Sequence, residues 1–201
     1  EWKAWIDSDS DNLPPVVSLA EFKDNPPILP DELINSVLRS GHKMIISGPS
    51  KAGKSFLLME LCVSFAEGVP WLGFDVKKGK VLYVNLEIDQ ASCITRFLRI
   101  YEALGLKGES MDNISIWNLR GNAVPLDQLV PKIVKKMQGK GYEAVIIDPI
   151  YKVITGDENS ASDMGAFCNQ FDKICNEVGC SAIYCHHHSK GSQGSKKAMD
   201  R

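Results

Sequence analysis

From about residue 44 onward, apolar residues come in two alternating rhythms. Short apolar runs at Met44 to Ile46, Val81 to Leu86, Ile114 to Leu119, Ala144 to Ile147 and Ser181 to Cys185 suit strands of a sheet covered on both faces. Between them lie stretches with helical spacing: Phe56 to Glu67, Ala91 to Leu104, Leu126 to Gln138 and Asp163 to Val178. The last is the clearest, because Met164, Phe167, Phe171, Ile174 and Val178 recur every three or four residues on one face. The first forty residues keep neither rhythm. They carry the acids Asp7, Asp9 and Asp11 and the proline pairs Pro14-Pro15 and Pro26-Pro27. The expectation is an arm over residues 1–40 packed on a core at 41–201, with one short helix opening at Asp31 after Pro30 and ending near Gly41.

Strands and helices that alternate in this way predict an α/β fold of three layers, a mainly parallel sheet with helices on both faces and right-handed crossovers. In such sheets polar chemistry collects at the carboxyl ends of the strands. The first strand runs into Gly48-Pro49-Ser50-Lys51-Ala52-Gly53-Lys54-Ser55, which fits G-x-x-x-x-G-K-[ST] and is followed by the helix starting near Phe56. Backbone amides in such a loop, with the positive end of the helix dipole, surround phosphates. The Lys54 ammonium reaches the terminal phosphates and the Ser55 hydroxyl ligates Mg²⁺. A nucleotide site is therefore expected over Gly48 to Ser55 and the adjoining Phe56, with ATP and Mg²⁺ as its occupants. The bland alternative is a glycine-rich turn with a chance lysine.

Two acids end apolar strands. Asp148 follows Val145-Ile146-Ile147 and suits a hard cation that wants oxygen ligands and retained water; its bland reading is a cap on the next turn. Glu87 ends the second strand and is the candidate general base for water attacking a γ-phosphate, with Asp89 as its nearest rival and simple solvent exposure as its bland reading. The last strand ends in Cys185-His186-His187-His188, and His187 is the expected sensor of the γ-phosphate. Zinc held with Cys180 or Cys185 is an alternative without supporting ligand spacing. Trp71 is read as packing rather than base stacking.

Composition narrows the picture modestly. The 201 residues are 44% apolar, enough for one sizeable core. A net charge of −2 excludes a global basic field for nucleic acid, leaving only a local patch or a ring of subunits. Such a patch is a tail of Lys190, Lys196, Lys197 and Arg201 against Asp200, which reads as a nucleic-acid loop or as a solvated tail. The cysteines (Cys62, Cys93, Cys168, Cys175, Cys180, Cys185) fall mostly inside apolar periodic segments, which predicts reduced thiols in a soluble, cytoplasmic protein without a membrane span. A start at Glu1 without methionine suggests a fragment of a longer protein.

The segments GPSKAGKS, VLYVNLEID, AVIIDPIYKV and IYCHHHSKG, in this order, resemble the RecA-type P-loop ATPases of the RepA branch, hexameric replicative helicases of plasmids and mobile elements. The likeness spans about Pro27 to Gly191. It implies that Lys54 and Ser55 are the Walker A pair, Glu87 the catalytic glutamate, Asp148 the Walker B aspartate and His187 the strand-end sensor. It further implies that Arg96 lies near the nucleotide and the subunit boundary, whereas helical spacing alone would let Arg96 and Arg99 be solvated. Family members continue into further strands and a trans-acting arginine, so a core truncated at its C-terminus is expected here. Single-stranded DNA and a homohexameric ring are the implied partners. The competing readings are an ATP-switched DNA-binding or regulatory module without helicase activity, and a small-molecule kinase, which would want lid arginines that Gly156 to Ser162 does not carry.

Overall fold

The computed structural model describes residues 16–154, 156 and 161–187. The acidic start and the basic tail from His188 onward lie outside the described residues. Five strands, β3 (Lys43–Gly48), β4 (Lys80–Asn85), β5 (Ile114–Asn118), β6 (Tyr142–Asp148) and β7 (Ser181–His187), form one sheet in the order β3-β7-β6-β4-β5, every neighbouring pair parallel. The crossovers carry α1 (Lys54–Glu67), α2 (Gln90–Ala103), α3 (Leu126–Met137) and α4 (Ala161–Val178). This is the three-layer α/β arrangement of a RecA-like P-loop fold, as the alternating rhythms predict.

Strand periodicity divides the core in two. On one face Val81, Tyr83, Ala144, Ile146, Ile183 and Cys185 pack with α1 and α2. On the other, Leu82, Val84, Val145, Ile147, Ala182 and Tyr184 pack with α3 and α4. Successive strand residues point to opposite faces, so each central strand feeds both clusters. Helix α1 is buried almost all round, and even the polar Ser64 is covered. Of the cysteines, all free, Cys168 is half-buried and the rest are buried.

Two expectations are corrected. Asp31 to Gly41 is not a helix but a hairpin of β1 (Glu32–Ile34) and β2 (Leu38–Arg39), antiparallel, with Ser36 at φ 58° in the turn. Leu33, Ile34 and Leu38 join the α1/α2 cluster beside Trp71 and Val76, and Lys77 donates its backbone N–H to the Leu33 carbonyl at 2.9 Å. An Arg39–Glu32 ion pair at 2.5 Å spans the two strands. Burial of three large side chains against distant residues outweighs the local helix-start signal. The second correction concerns β3, expected as a buried strand. It is an outer strand, and Ile45 is half exposed. By contrast, Trp71 packs as expected, with its indole N–H donating to the Leu57 carbonyl at 3.2 Å. No helix among the described residues is long and apolar enough to cross a membrane.

Candidate functional site

Past Gly48 the chain turns within eight residues from β3 into α1. The turn uses two left-handed backbone positions, Lys51 at φ 65° and Gly53 at φ 82°, and Gly53 is the N-cap of α1. Only glycine adopts such a conformation without steric cost, which explains Gly53 at the cap. The first amides of a helix have no intrahelical acceptors, and the dipole places partial positive charge there. Residues Ser50 to Phe56 line a cleft of about 400 Å³ together with Glu87, Ile88 and Arg96. Lys54 is buried, its ammonium donating to the carbonyls of Gly48 at 2.9 Å and Pro49 at 2.7 Å. The lysine thus braces the loop from beneath, within a side-chain rotation of the cleft it borders.

The opposite wall comes from the turn after β4. Asn85, almost wholly buried, donates from Nδ2 to the Ile88 carbonyl at 2.7 Å and to Asn118 Oδ1 at 2.8 Å. Its Oδ1 accepts from the backbone N–H groups of Glu87 at 3.3 Å and Ile88 at 3.2 Å. One side chain thereby shapes the turn that presents Glu87. The Glu87 carboxylate accepts from the Tyr151 hydroxyl at 3.3 Å. Its rival Asp89 caps α2 instead, accepting from Ser92 N–H at 2.9 Å, and that bond holds its carboxyl below the usual range. Arg96 is not simply solvated. Its guanidinium lies 4.9 Å above the Phe56 ring at the rim of the cleft, a cation–π contact.

Asp148 ends β6 behind this cleft rather than on its lining, and is only 4% exposed. Oδ2 accepts from the Tyr83 hydroxyl at 2.5 Å and Oδ1 from the Cys185 thiol at 2.7 Å. Burial, and then the neighbouring Asp148 charge, raise the pKa of both donors well above their ordinary values, so both keep their protons at neutral pH. The Cys185 thiol also feels the Glu87 carboxylate and, in the opposite sense, the Lys54 ammonium. These charged groups therefore converge on one end of the sheet.

His187 closes β7 with its backbone in register beside Gly48, the first residue of the loop. Among the described residues, which do not include His188, no group of three or more His, Cys, Asp or Glu side chains is placed to hold a metal ion. The Ser55 hydroxyl and the Glu87 carboxylate on the cleft lining, and the Asp148 carboxylate behind it, are oxygen donors of the kind that suits a hard divalent cation. Sequence reasoning missed Asn85, Tyr151 and Tyr83, and weighed Cys185 only as a zinc ligand. Their only signal was position, each within three residues of a strand's carboxyl end.

The pattern of the AAA domain, as a family model, matches residues 8–193 and so spans nearly the whole chain.

Proposed function

The chain belongs to the AAA-domain family of P-loop ATPases, and on that premise we propose that it hydrolyses ATP with Mg²⁺ in the cleft between the Ser50–Phe56 loop and Glu87. Family membership supports nucleotide binding and ATPase activity in general; the residue roles rest on the geometry. The observation that carries them is the convergence of loop, Glu87 and Arg96 on one cleft of about 400 Å³.

Amides of the loop bind the phosphate oxygens, and Lys54 leaves the Gly48 and Pro49 carbonyls to neutralise charge that develops on them. Glu87, aimed by the Asn85-shaped turn and by Tyr151, orients the attacking water and takes its proton. Ser55 and Asp148 would hold Mg²⁺, which would supply neutralisation of phosphate charge. His187, whose backbone pairs beside Gly48, reports whether the γ-phosphate is present. Arg96 marks the nucleotide edge of a subunit boundary. A cation from a neighbouring subunit is worth about 10³ to 10⁵ in rate at such sites, so slow turnover by an isolated subunit is expected.

The work done by this turnover is the movement of single-stranded DNA by a RepA-like helicase ring. The likeness of the four motif segments supports that reading, and the net charge of −2 requires the DNA contact to be local. The test is ATP turnover with and without single-stranded DNA, for the parent and Glu87→Gln, with light scattering for assembled mass. DNA should stimulate turnover, rings should form, and Glu87→Gln should lower the rate by about 10² to 10⁴. Nucleotide binding with negligible turnover, even on added DNA, would favour the ATP-switched module and reject the motor. Turnover that survives Glu87→Gln would remove the glutamate from its role.

A further inference from the structure

A carboxylate taken almost completely out of water is costly unless its oxygens are satisfied. Asp148 meets that condition without a cation: among the described residues no ion pair reaches it. Its partners are two neutral donors, one from each strand that flanks β6. Tyr83 comes from β4 and Cys185 from β7, and each grips a different oxygen, at 2.5 and 2.7 Å. The tyrosine is itself held, since the Phe97 ring of α2 meets it edge-on with centroids 5.3 Å apart.

A carboxylate offers about four lone-pair directions. Two are taken, one on each oxygen, so the group cannot rotate without breaking both contacts. The remaining lone pairs are then fixed in direction, on the sheet face that packs against α1. Both donors are neutral, so the lone pairs they leave open remain for a further partner.

We propose that Tyr83 and Cys185 are positioning residues that lock the Asp148 carboxylate in the orientation in which it serves the divalent cation of the bound nucleotide. This rests on the assignment of Asp148 to the metal. Removal of such an outer partner typically weakens metal binding about 10- to 100-fold, and that is the effect expected of each here.

The experiment titrates Mn²⁺ into protein with ADP and reads free Mn²⁺ by electron paramagnetic resonance, for the parent, Tyr83→Phe, Cys185→Ala, Cys185→Ser and Asp148→Asn. A fluorescent ADP analogue in EDTA gives metal-free nucleotide affinity in parallel. Tyr83→Phe and Cys185→Ala should weaken Mn²⁺ while leaving metal-free binding unchanged, and Cys185→Ser should recover much of the loss because its hydroxyl still donates. Tyr83→Phe keeps the ring against Phe97, so it provides a decisive test even if Cys185→Ala does not fold. Parent-like Mn²⁺ affinity in Tyr83→Phe, with Asp148→Asn weakened, would overturn the positioning role and leave the metal assignment standing. Unchanged affinity in Asp148→Asn would overturn both.

Discussion

The face of the sheet under α1 and α2 and the face under α3 and α4 are built by alternate residues of the same strands, yet they carry different chemistry. Under α1 and α2 the column of apolar residues ends in Tyr83, Asp148 and Cys185, close to Lys54 and Glu87. Under α3 and α4 it ends in aromatic packing: Phe171 stacks on Tyr184 with centroids 4.2 Å apart, and Phe167 meets both edge-on. A period of two lets one strand supply a polar site and an apolar core at once. The lesson is a division of labour, and substitutions on the two faces should move different measurements.

The largest effect is expected on the apolar face. Phe171→Ala removes a fully buried ring and should cost about 3–5 kcal/mol, a large share of the roughly 5–15 kcal/mol that holds a typical domain. Calorimetry or denaturant melts would register it, whereas nucleotide affinity measured well below the new melting temperature should stay at the parent value. A loss of affinity at that temperature would break the division. Next comes Lys54→Ala on the polar face. It should lower turnover by about 10² to 10³, the scale for removing one electrostatic stabiliser, with a smaller drop in melting temperature than Phe171→Ala produces.

Asn85→Ala tests the boundary between the two roles. Its side chain serves the Glu87 turn and also ties β4 to Asn118 of β5, so stability should fall by about 1–3 kcal/mol as partners lose their hydrogen bonds. Turnover should fall with it, and a change in only one of the two would place Asn85 wholly on one side. The smallest effect belongs to Tyr151→Phe, which deletes one hydrogen bond to Glu87 worth about 0.5–1.5 kcal/mol. Steady-state kinetics should show kcat reduced several-fold and KM little changed; an altered KM instead would move Tyr151 from aiming the base to binding the nucleotide.

Much of the sheet was legible in advance because its strands are short apolar runs and its helices keep a period near 3.6. The loop was legible because its function depends on local backbone, and eight consecutive residues specify it. Arg96 and Asp89 were not decided by spacing. Helix periodicity left Arg96 either solvated or near the site, and only the packing of α2 beside the loop set its guanidinium over Phe56. Asp89 was the nearest rival to Glu87 as base, and the cap on α2 takes its carboxylate. The hairpin at Glu32–Arg39 was misread for a related reason, since its stability comes from burial beside Trp71 and Val76, some forty residues away.

The order of residues by itself determined that a glycine-rich loop joins a strand to a helix and that acids lie at or just past the ends of two apolar runs, because those features depend on near neighbours along the chain. Tertiary structure alone decided which face each acid joins and what holds it. Tyr83, Asp148 and Cys185 lie far apart in the chain and meet only when β4, β6 and β7 pair in register. A one-residue slip of any of them would turn its side chain to the other face.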